Sequence, residues 1–424
     1  MSAAPPRAAL APFKIRSFRF QWPADLCTSS AFEMETLILG WYVLVETQSV
    51  FMLTIYASMQ HLGTLLGPMF GVVGDRVGQR KLLSFMRALY SLLAGIIMTL
   101  TFTGHLHPYA VLAIAVVMGM VRPSDNGMRT ALTAETVPKT HLMGAMGIQR
   151  TTQDSARIAG ALSGAGLMSW LGMGPAYVVI FCLYTTSFLL TLQTGTARPH
   201  ETAPPEKPMS QSPWRDLKEG LIYVWTTPYL LGTLILALLL NMTAFPLANS
   251  LQPYIVKEVF GGNQATLSYM IACSGAGAVF GSVALSRFNS FLHPSRVMIF
   301  GSVAWFLVLL LYTQLKTAPI GMIVLFFSGI AQGIALVTMA AILLRNSDPK
   351  YRGRIMGVRM LAIYSNMPGI LVAGFLIPRI GFAQMAAAYC LFGILATFLI
   401  VYHWRAALWR GDAPANAHSA SDAP

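Results

Sequence analysis

Apolar stretches long enough to cross a lipid bilayer recur along almost the whole chain. Hydrophobic residues make up 55% of the 424 residues and charged residues 11%, and the mean hydropathy is +0.58. This composition is typical of an integral membrane protein rather than a soluble domain. A helix needs about 20 apolar residues to cross the membrane, so the sequence predicts twelve spans. Their approximate cores are residues 18–44, 50–73, 82–103, 109–131, 143–169, 174–193, 229–254, 265–286, 296–314, 319–343, 355–378 and 383–404.

Basic residues are concentrated in the loops on one predicted side of the membrane, and they account for the net charge of +13. They precede span one, follow spans two and four, occupy the middle linker and follow span ten, whereas the opposite loops carry few. By the positive-inside rule, both termini and the linker are cytoplasmic. No basic face exists apart from these loops, which argues against a nucleic-acid partner.

The loop between spans two and three carries the most specific motif. Residues 71–81 read Gly-Val-Val-Gly-Asp-Arg-Val-Gly-Gln-Arg-Lys. This segment resembles the signature G-x-x-x-D-R-x-G-R-[RK] of the major facilitator superfamily, with Gln79 at a commonly basic position. The resemblance implies a gating motif that latches one half of the transporter to the other on the cytoplasmic side. Its residues here are Gly71, Gly74, Asp75, Arg76, Gly78, Arg80 and Lys81.

Parts of the sequence recur at a spacing of 210 residues. Gly67 and Gly71 recur as Gly277 and Gly281, and Met146 recurs as Met356. Two regions with one spacing indicate duplicated halves, as in transporters built from parallel repeats. The expected fold is an all-α membrane protein of twelve transmembrane helices in two six-helix, pseudo-symmetric halves, the major facilitator fold. The predicted parts are a cytoplasmic tail (1–16), the first half (17–194), a linker with an amphipathic helix (195–227), the second half (228–409) and a disordered tail (410–424).

A narrower resemblance concerns the segment from Met128 to Gly172. It is similar to bacterial exporters related to the enterobactin exporter, the transmembrane secretion effector branch. That similarity implies export of siderophores or other amphipathic compounds, driven by protons. Residues 160–164, Gly-Ala-Leu-Ser-Gly, also resemble the antiporter signature G-P-x-x-G, but Ala161 replaces its proline.

Acidic residues inside predicted spans are costly and are therefore candidates for function. In the second half, the acids before the tail fall in loops. Glu33 is favoured for proton coupling because its own helix offers no nearby cation, whereas Asp25 lies closer to the cytoplasmic end, where water can hydrate it. The proton-coupling candidates are Glu33, Asp125, Asp25, Glu35 and Asp154.

Spans four and five each carry an Arg-Asp-Arg set on one helix face: Arg122, Asp125 and Arg129, then Arg150, Asp154 and Arg157. If the two antiparallel helices are neighbours, each Asp is bracketed by cations. One interpretation is that the two Arg-Asp-Arg sets pair with each other as a ladder of ion pairs, whose only role is to hold the first half together. The other is that Arg122 and Arg157 bind an anionic substrate group.

Small residues recur every four positions in spans two, five and eight, a spacing that gives a flat stripe for close helix packing. In the superfamily these spans lie between the halves, which predicts packing between the halves there. The residues are Gly63, Gly67, Gly160, Gly164, Gly277 and Gly281.

The sequence therefore predicts a secondary transporter of the bacterial inner membrane that works by alternating access as a monomer in the lipid bilayer. It moves a small molecule with the proton gradient as driving force and uses no cofactor. No nucleophile–base set or metal motif appears, so an enzyme is not expected. The alternatives are an uptake permease of the same fold and a transport-inactive membrane sensor or scaffold.

Overall fold

The computed structural model describes residues 11–195, 213–288, 293–345 and 352–410, and every regular element in those ranges is a helix. The predicted C-terminal tail beyond Arg410, residues 196–212 of the linker and residues 1–10 of the N-terminal tail lie outside the described residues. The predicted amphipathic helix is present as Pro213–Thr226.

The first half contains one helix for each predicted span except span two. Span two consists of the helix Val50–Met59, the short 3-10 helix Leu62–Leu66 and the helix Gly67–Val77. The others are Arg16–Thr47 (span one), Gln79–Phe102 (three), Pro108–Thr136 (four), Lys139–Leu171 (five) and Met173–Thr191 (six).

In the second half, span seven begins as the helix Pro228–Phe245 and continues through two π-helical turns, Pro246–Ser250 and Ile255–Val259. Span eleven is divided into Arg352–Tyr364 and Asn366–Ile380. The remaining spans are Gln264–Phe288 (eight), Pro294–Gln314 (nine), Ala318–Arg345 (ten) and Phe382–His403 (twelve), and a short helix, Arg405–Arg410, follows.

Local sequence explains several helix ends. Proline near the first helical position begins spans four, seven and nine, where its missing N–H costs nothing. Gly172 separates spans five and six with φ +82°, and Gly381 separates spans eleven and twelve with φ +81°. Because residues with a Cβ rarely adopt such positive φ angles, glycine permits the same sharp connection between helices in both halves.

Eight of the described helices are long and apolar enough to cross a membrane by length and composition: spans three, six, seven, eight, nine, ten, eleven and twelve. Spans one, two, four and five fall outside that group. Spans one, four and five are the helices that contain the predicted intramembrane acids of the first half.

The chain forms two compact units. One comprises Met1–Met52, Met59–Met209 and Asn263–Ser268, and the other comprises Leu53–Ser58, Ser210–Gly262 and Tyr269–Pro424. In the first unit, span one packs against spans five and six, and span three packs against span six. In the second, span nine packs against spans ten and twelve. Each unit therefore has its own buried interior.

The predicted glycine stripes pack within the halves. A Cβ at Gly63 would overlap the carbonyl group of Met120 in span four, and one at Gly277 would overlap the carbonyl oxygen of Phe326 in span ten. Gly281 lies against Ile330 of span ten, while Gly160 and Gly164 lie against Ser30 and Met34 of span one.

The packing of these helices between the halves stays a prediction. A four-residue spacing of small residues shows that a helix packs closely, but it does not identify the partner helix. The surroundings of Gly67 lie outside the described residues, so the predicted close packing at this glycine stays a prediction.

Candidate functional site

Asp25 is the centre of a buried ionic network in the first half. It is 3% exposed and accepts a hydrogen bond from the guanidinium of Arg87, which is fully buried in span three. Arg129 of span four places its Nε 3.7 Å from the same carboxylate oxygen. The expectation that water hydrates Asp25 was therefore wrong. Neighbouring helices, rather than position along the span, decide its surroundings.

Arg129 connects Asp25 to the second acid of the network. Within span four it forms an ion pair with Asp125, one turn earlier, and it donates from NH1 to the Ser29 hydroxyl at 2.8 Å. Two aspartates and two arginines balance their charges in a site that is almost dry. Such a network costs free energy to desolvate, but removing one partner costs more, because a buried charge is then left uncompensated.

Two glutamine amides extend the network to span five. Gln149 donates to the second carboxylate oxygen of Asp25 at 3.2 Å and to the Thr133 hydroxyl at 2.7 Å. Gln21 donates to the same hydroxyl at 2.9 Å and to the carbonyl oxygen of Arg129 at 2.9 Å. Spans one, three, four and five are thereby joined by polar contacts at one level.

Next along span one lies an aromatic cluster with a buried carboxyl group. The rings of Phe32, Tyr90 and Tyr184 lie 5.1 to 5.7 Å apart, centroid to centroid. The Tyr184 hydroxyl donates to one carboxylate oxygen of Glu35 at 2.8 Å. Glu35 is 2% exposed, and its other oxygen makes no hydrogen bond within the described structure.

Arg122 lies over this cluster on the more open side. Its guanidinium carbon is 3.9 Å from the centroid of the Phe32 ring, a cation–π geometry. Its NH1 group donates to the Thr36 hydroxyl at 2.9 Å and to the side-chain oxygen of Gln60 at 2.6 Å. Arg122 therefore bonds to spans one and two, whereas the ladder model placed it beside span five.

Glu33 occupies a different position from the other described acids of span one. It is partly buried, and none of the described residues gives its carboxylate a hydrogen bond or an ion pair. Its Cβ lies close to Gly160 of span five, only 2.9 Å from the place that a Cβ on that glycine would take. Arg157 is one turn before Gly160 and is partly buried. The side chain of Asp154 lies outside the described residues, so the span-five ladder stays a prediction.

The gating motif is described in part. Gly78 has φ +96° and begins the turn into span three. Arg80 donates to the carbonyl oxygen of Leu192 at the end of span six, while Arg76 and Lys81 are exposed. Gln79 is buried, and a Cβ at Gly74 would contact its amide group. The surroundings of Gly71 and the side chain of Asp75 lie outside the described residues.

Several residues of the site were missed by reasoning from the sequence. Arg87 carried a usable signal, because a lone arginine inside an apolar span needs a partner. No such signal in the sequence marked Gln60, Gln149 and Tyr184. Neutral polar residues are common in membrane helices, and only the packing shows which of them meet a charge.

Comparison with protein families gives one match over nearly the whole chain. The model described as transmembrane secretion effector matches residues 7–421. Similar proteins include the multidrug resistance protein MdtG of Escherichia fergusonii, 24% identical over 346 residues, and that of Citrobacter koseri, 24% identical over 345 residues. Each match covers 80% of both chains.

Solved structures of transporters share the fold. The nucleoside transporter NupG aligns with a TM-score of 0.70 at 14% identity, covering 91% of this chain and 98% of that one. The human organic anion transporter MFSD10 gives 0.65 at 14%, covering 94% and 100%. The D-xylose–proton symporter gives 0.64 at 12%, covering 91% and 97%. The expected all-α transporter fold is confirmed by these alignments.

Proposed function

The chain belongs to the transmembrane secretion effector family of major facilitator transporters, and on this premise we propose that it is a proton-coupled exporter of amphipathic small molecules. The MdtG relatives are named for multidrug resistance, which supports export and a broad substrate class. Siderophores fall within that class, since they combine apolar parts with anionic oxygen groups. The transporter acts in the bacterial inner membrane by alternating access.

The observation that carries the proposal is the position of Glu33. A coupling acid must exchange its proton with water, and its charge must matter to the conformation. Asp25 and Asp125 are buried and balanced by Arg87 and Arg129. Glu33 is partly accessible and is bonded by none of the described residues. We therefore assign proton coupling to Glu33 and treat Glu35 as the second candidate.

Coupling requires the proton to bind more tightly to one conformation of the transporter than to the other. A ligand shifts a conformational equilibrium only as far as its affinities for the two conformations differ. Glu33 lies at the contact of spans one and five, beside Gly160. Any change in how these two helices pack changes the water and charge around its carboxylate. Protonation at this position therefore influences, and responds to, the arrangement of the first half.

The test is transport in proteoliposomes with an imposed proton gradient. Ethidium and 2,3-dihydroxybenzoate serve as a cationic and an anionic probe. Wild-type protein should accumulate a probe against its gradient. Glu33→Gln should keep probe binding and downhill exchange, because glutamine mimics the protonated acid, but lose accumulation. Glu35→Gln, the same change two residues away, is the matched control and should retain coupling.

Other outcomes would change the coupling residue, the direction of transport or the class of function assigned to the protein. Accumulation by Glu33→Gln at the wild-type level would remove Glu33 from the mechanism, and loss of accumulation in Glu35→Gln would assign coupling to Glu35, the second candidate. Vesicles of defined orientation separate export from uptake by the direction of proton-driven accumulation. If folded wild-type protein moves neither probe in either orientation, these experiments favour the sensor or scaffold alternative.

A further inference from the structure

Span two is broken close to Arg122. Its first helix ends at Met59, the 3-10 helix Leu62–Leu66 follows, and the second helix begins at Gly67. Pro68 stands at the start of this second helix, where it cannot donate a hydrogen bond back to the preceding turn, so the ladder of the first piece does not continue through it. A break of this kind is a site at which a helix bends. Gln60 is the first residue after Met59.

The break lies at a direct backbone contact with span four. A Cβ at Gly63 would overlap the carbonyl group of Met120, and one at Gly119 would overlap the carbonyl oxygen of Met59. The two backbones therefore touch on both sides of Gln60. This contact ties the chain on both sides of Gln60 to span four.

Arg122 follows this contact by one helical turn and bonds directly to the break. Its guanidinium donates to the Gln60 side-chain oxygen at 2.6 Å while it lies 3.9 Å from the Phe32 ring centroid. The Thr36 hydroxyl is its other described acceptor, at 2.9 Å. The two acceptors are neutral. A carboxylate binds a guanidinium more strongly, through two parallel charge-assisted bonds.

We propose that Gln60 is a positioning residue that holds Arg122 over Phe32 and ties it to the break in span two. An anionic substrate group that binds the guanidinium displaces Gln60 and frees the break. The piece that then turns, Gly67–Val77, contains the first part of the gating motif, residues 71–77. Substrate recognition is thereby linked to the cytoplasmic loop. The inference rests on the proposed transport function, and it specifies anionic compounds as those that release the break.

Two equilibrium measurements test this link without a proton gradient. One is binding of 2,3-dihydroxybenzoate, compared with the neutral 2,3-dihydroxybenzamide of the same shape. The other is the distance between spin labels at Val77 and Leu189, which are 51% and 52% exposed in the first half. The labels are introduced after replacement of Cys27, Cys182, Cys273 and Cys390.

In the protein with native Gln60, the benzoate should shift the label distance and the benzamide should not. Gln60→Ala should show the shifted distance without ligand and bind the benzoate several-fold more tightly. Gln60→Glu should hold the guanidinium with its own carboxylate, keep the unshifted distance and weaken benzoate binding about tenfold. Gln60→Asn, whose side chain is one methylene shorter, should resemble Gln60→Ala and replaces it if that variant does not fold.

The link is overturned if the benzoate does not bind with native Gln60, or if its binding leaves the label distance unchanged. It is also overturned if the Gln60 variants change benzoate and benzamide binding equally. Failure of the proposed function would look different: charge-dependent, Gln60-dependent binding would persist, but no proton-driven accumulation would occur in vesicles.

Discussion

Spans two and four cross at Gly63 and Gly119 in the first half, and spans eight and ten cross at Gly277 and Gly329 in the second. Gly119 and Gly329 are related by the same repeat spacing as Gly67 and Gly277. In both crossings a backbone carbonyl occupies the space that a Cβ would need. The duplicated halves have thus kept a close crossing of corresponding helices, although Gly63 and Gly277 are 214 residues apart and so differ by about one helical turn from the repeat spacing.

The side chains around the two crossings differ. At the repeat spacing, Arg122, Asp125 and Arg129 of span four correspond to Gln332, Ala335 and Met339 of span ten. The buried polar groups of the second half include neutral ones such as Gln252, which accepts a hydrogen bond from the Tyr312 hydroxyl at 2.9 Å. Among the described residues, the buried ion pairs Arg87–Asp25 and Arg129–Asp125 belong to the first half, whereas Lys257 and Glu258 of the second half pair nearer the surface.

The helices that cross also differ in continuity. Span two is broken between Met59 and Gly67, whereas span eight is one helix from Gln264 to Phe288. A close crossing and a bending point are therefore separate properties of a helix. Glycine provides the crossing in both halves. The break and its arginine anchor occur together in the first half.

The largest expected difference between the halves is in stability. Asp25→Ala leaves the buried Arg87 and Arg129 without their shared acid and should lower the free energy of unfolding by about 3–5 kcal/mol. Tyr312→Phe removes one buried neutral hydrogen bond in the second half and should cost about 1 kcal/mol. Denaturant unfolding in detergent micelles measures both.

A double variant tests whether the uncompensated charge of Arg87 causes this loss of stability. Asp25→Ala combined with Arg87→Met removes the arginine that Asp25 pairs with directly, and it should recover part of the loss. If Asp25→Ala and Tyr312→Phe prove equally costly, the contrast between an ionic and a neutral interior does not hold.

The glycine crossings should behave alike. Gly119→Ala and Gly329→Ala each force a methyl group into a backbone carbonyl, and each should lower the unfolding free energy by about 1–3 kcal/mol. Gly127→Ala in span four is the matched control, because its Cβ would meet nothing within 4 Å. A cost at one crossing alone would show that the halves do not share this contact.

The third prediction concerns substrate charge. Arg122→Lys keeps the positive charge but loses the planar fork that binds a carboxylate in two places. Transport of 2,3-dihydroxybenzoate should fall about tenfold, the effect of one charged hydrogen bond, while ethidium transport changes little. Initial rates in proteoliposomes measure both.

A variant at the equivalent position of the second half tests whether this charge dependence is specific to Arg122. Gln332→Ala removes a neutral group at the equivalent repeat position and should affect both probes to a similar extent. Equal loss of both probes in Arg122→Lys, or poor recovery of folded protein, would give Arg122 a structural role.

The smallest effect is expected at the gating motif. Asp75 lies in the last turn of its own helix, and the family motif implies that its carboxylate lies against the N-terminus of a neighbouring helix. Asp75→Ala should therefore shift the conformational equilibrium by about 1 kcal/mol, the value of such a contact, and so slow transport without preventing membrane insertion. Leu285→Ala, at the corresponding position in the second half, should leave transport near the wild-type rate. Normal transport by well-expressed Asp75→Ala would contradict the latch role implied by the family motif.

The sequence by itself determined the class of the protein, the approximate course of its helices and the family. Span three was predicted at 82–103 and is Gln79–Phe102, and span twelve was predicted at 383–404 and is Phe382–His403. These features depend on residues near one another in the chain. Hydropathy over about 20 residues indicates a membrane span wherever the other helices lie.

Tertiary structure alone decided which groups meet. Helical spacing placed Arg129 and Asp125 on one face, but it did not show that Asp25 and Arg87 complete their network. It assigned Arg122 to a ladder with span five, whereas Gln60, Thr36 and Phe32 are its described contacts. The physical reason is that a helix face has many possible neighbours. The partner that neutralises a buried charge belongs to whichever helix packs there.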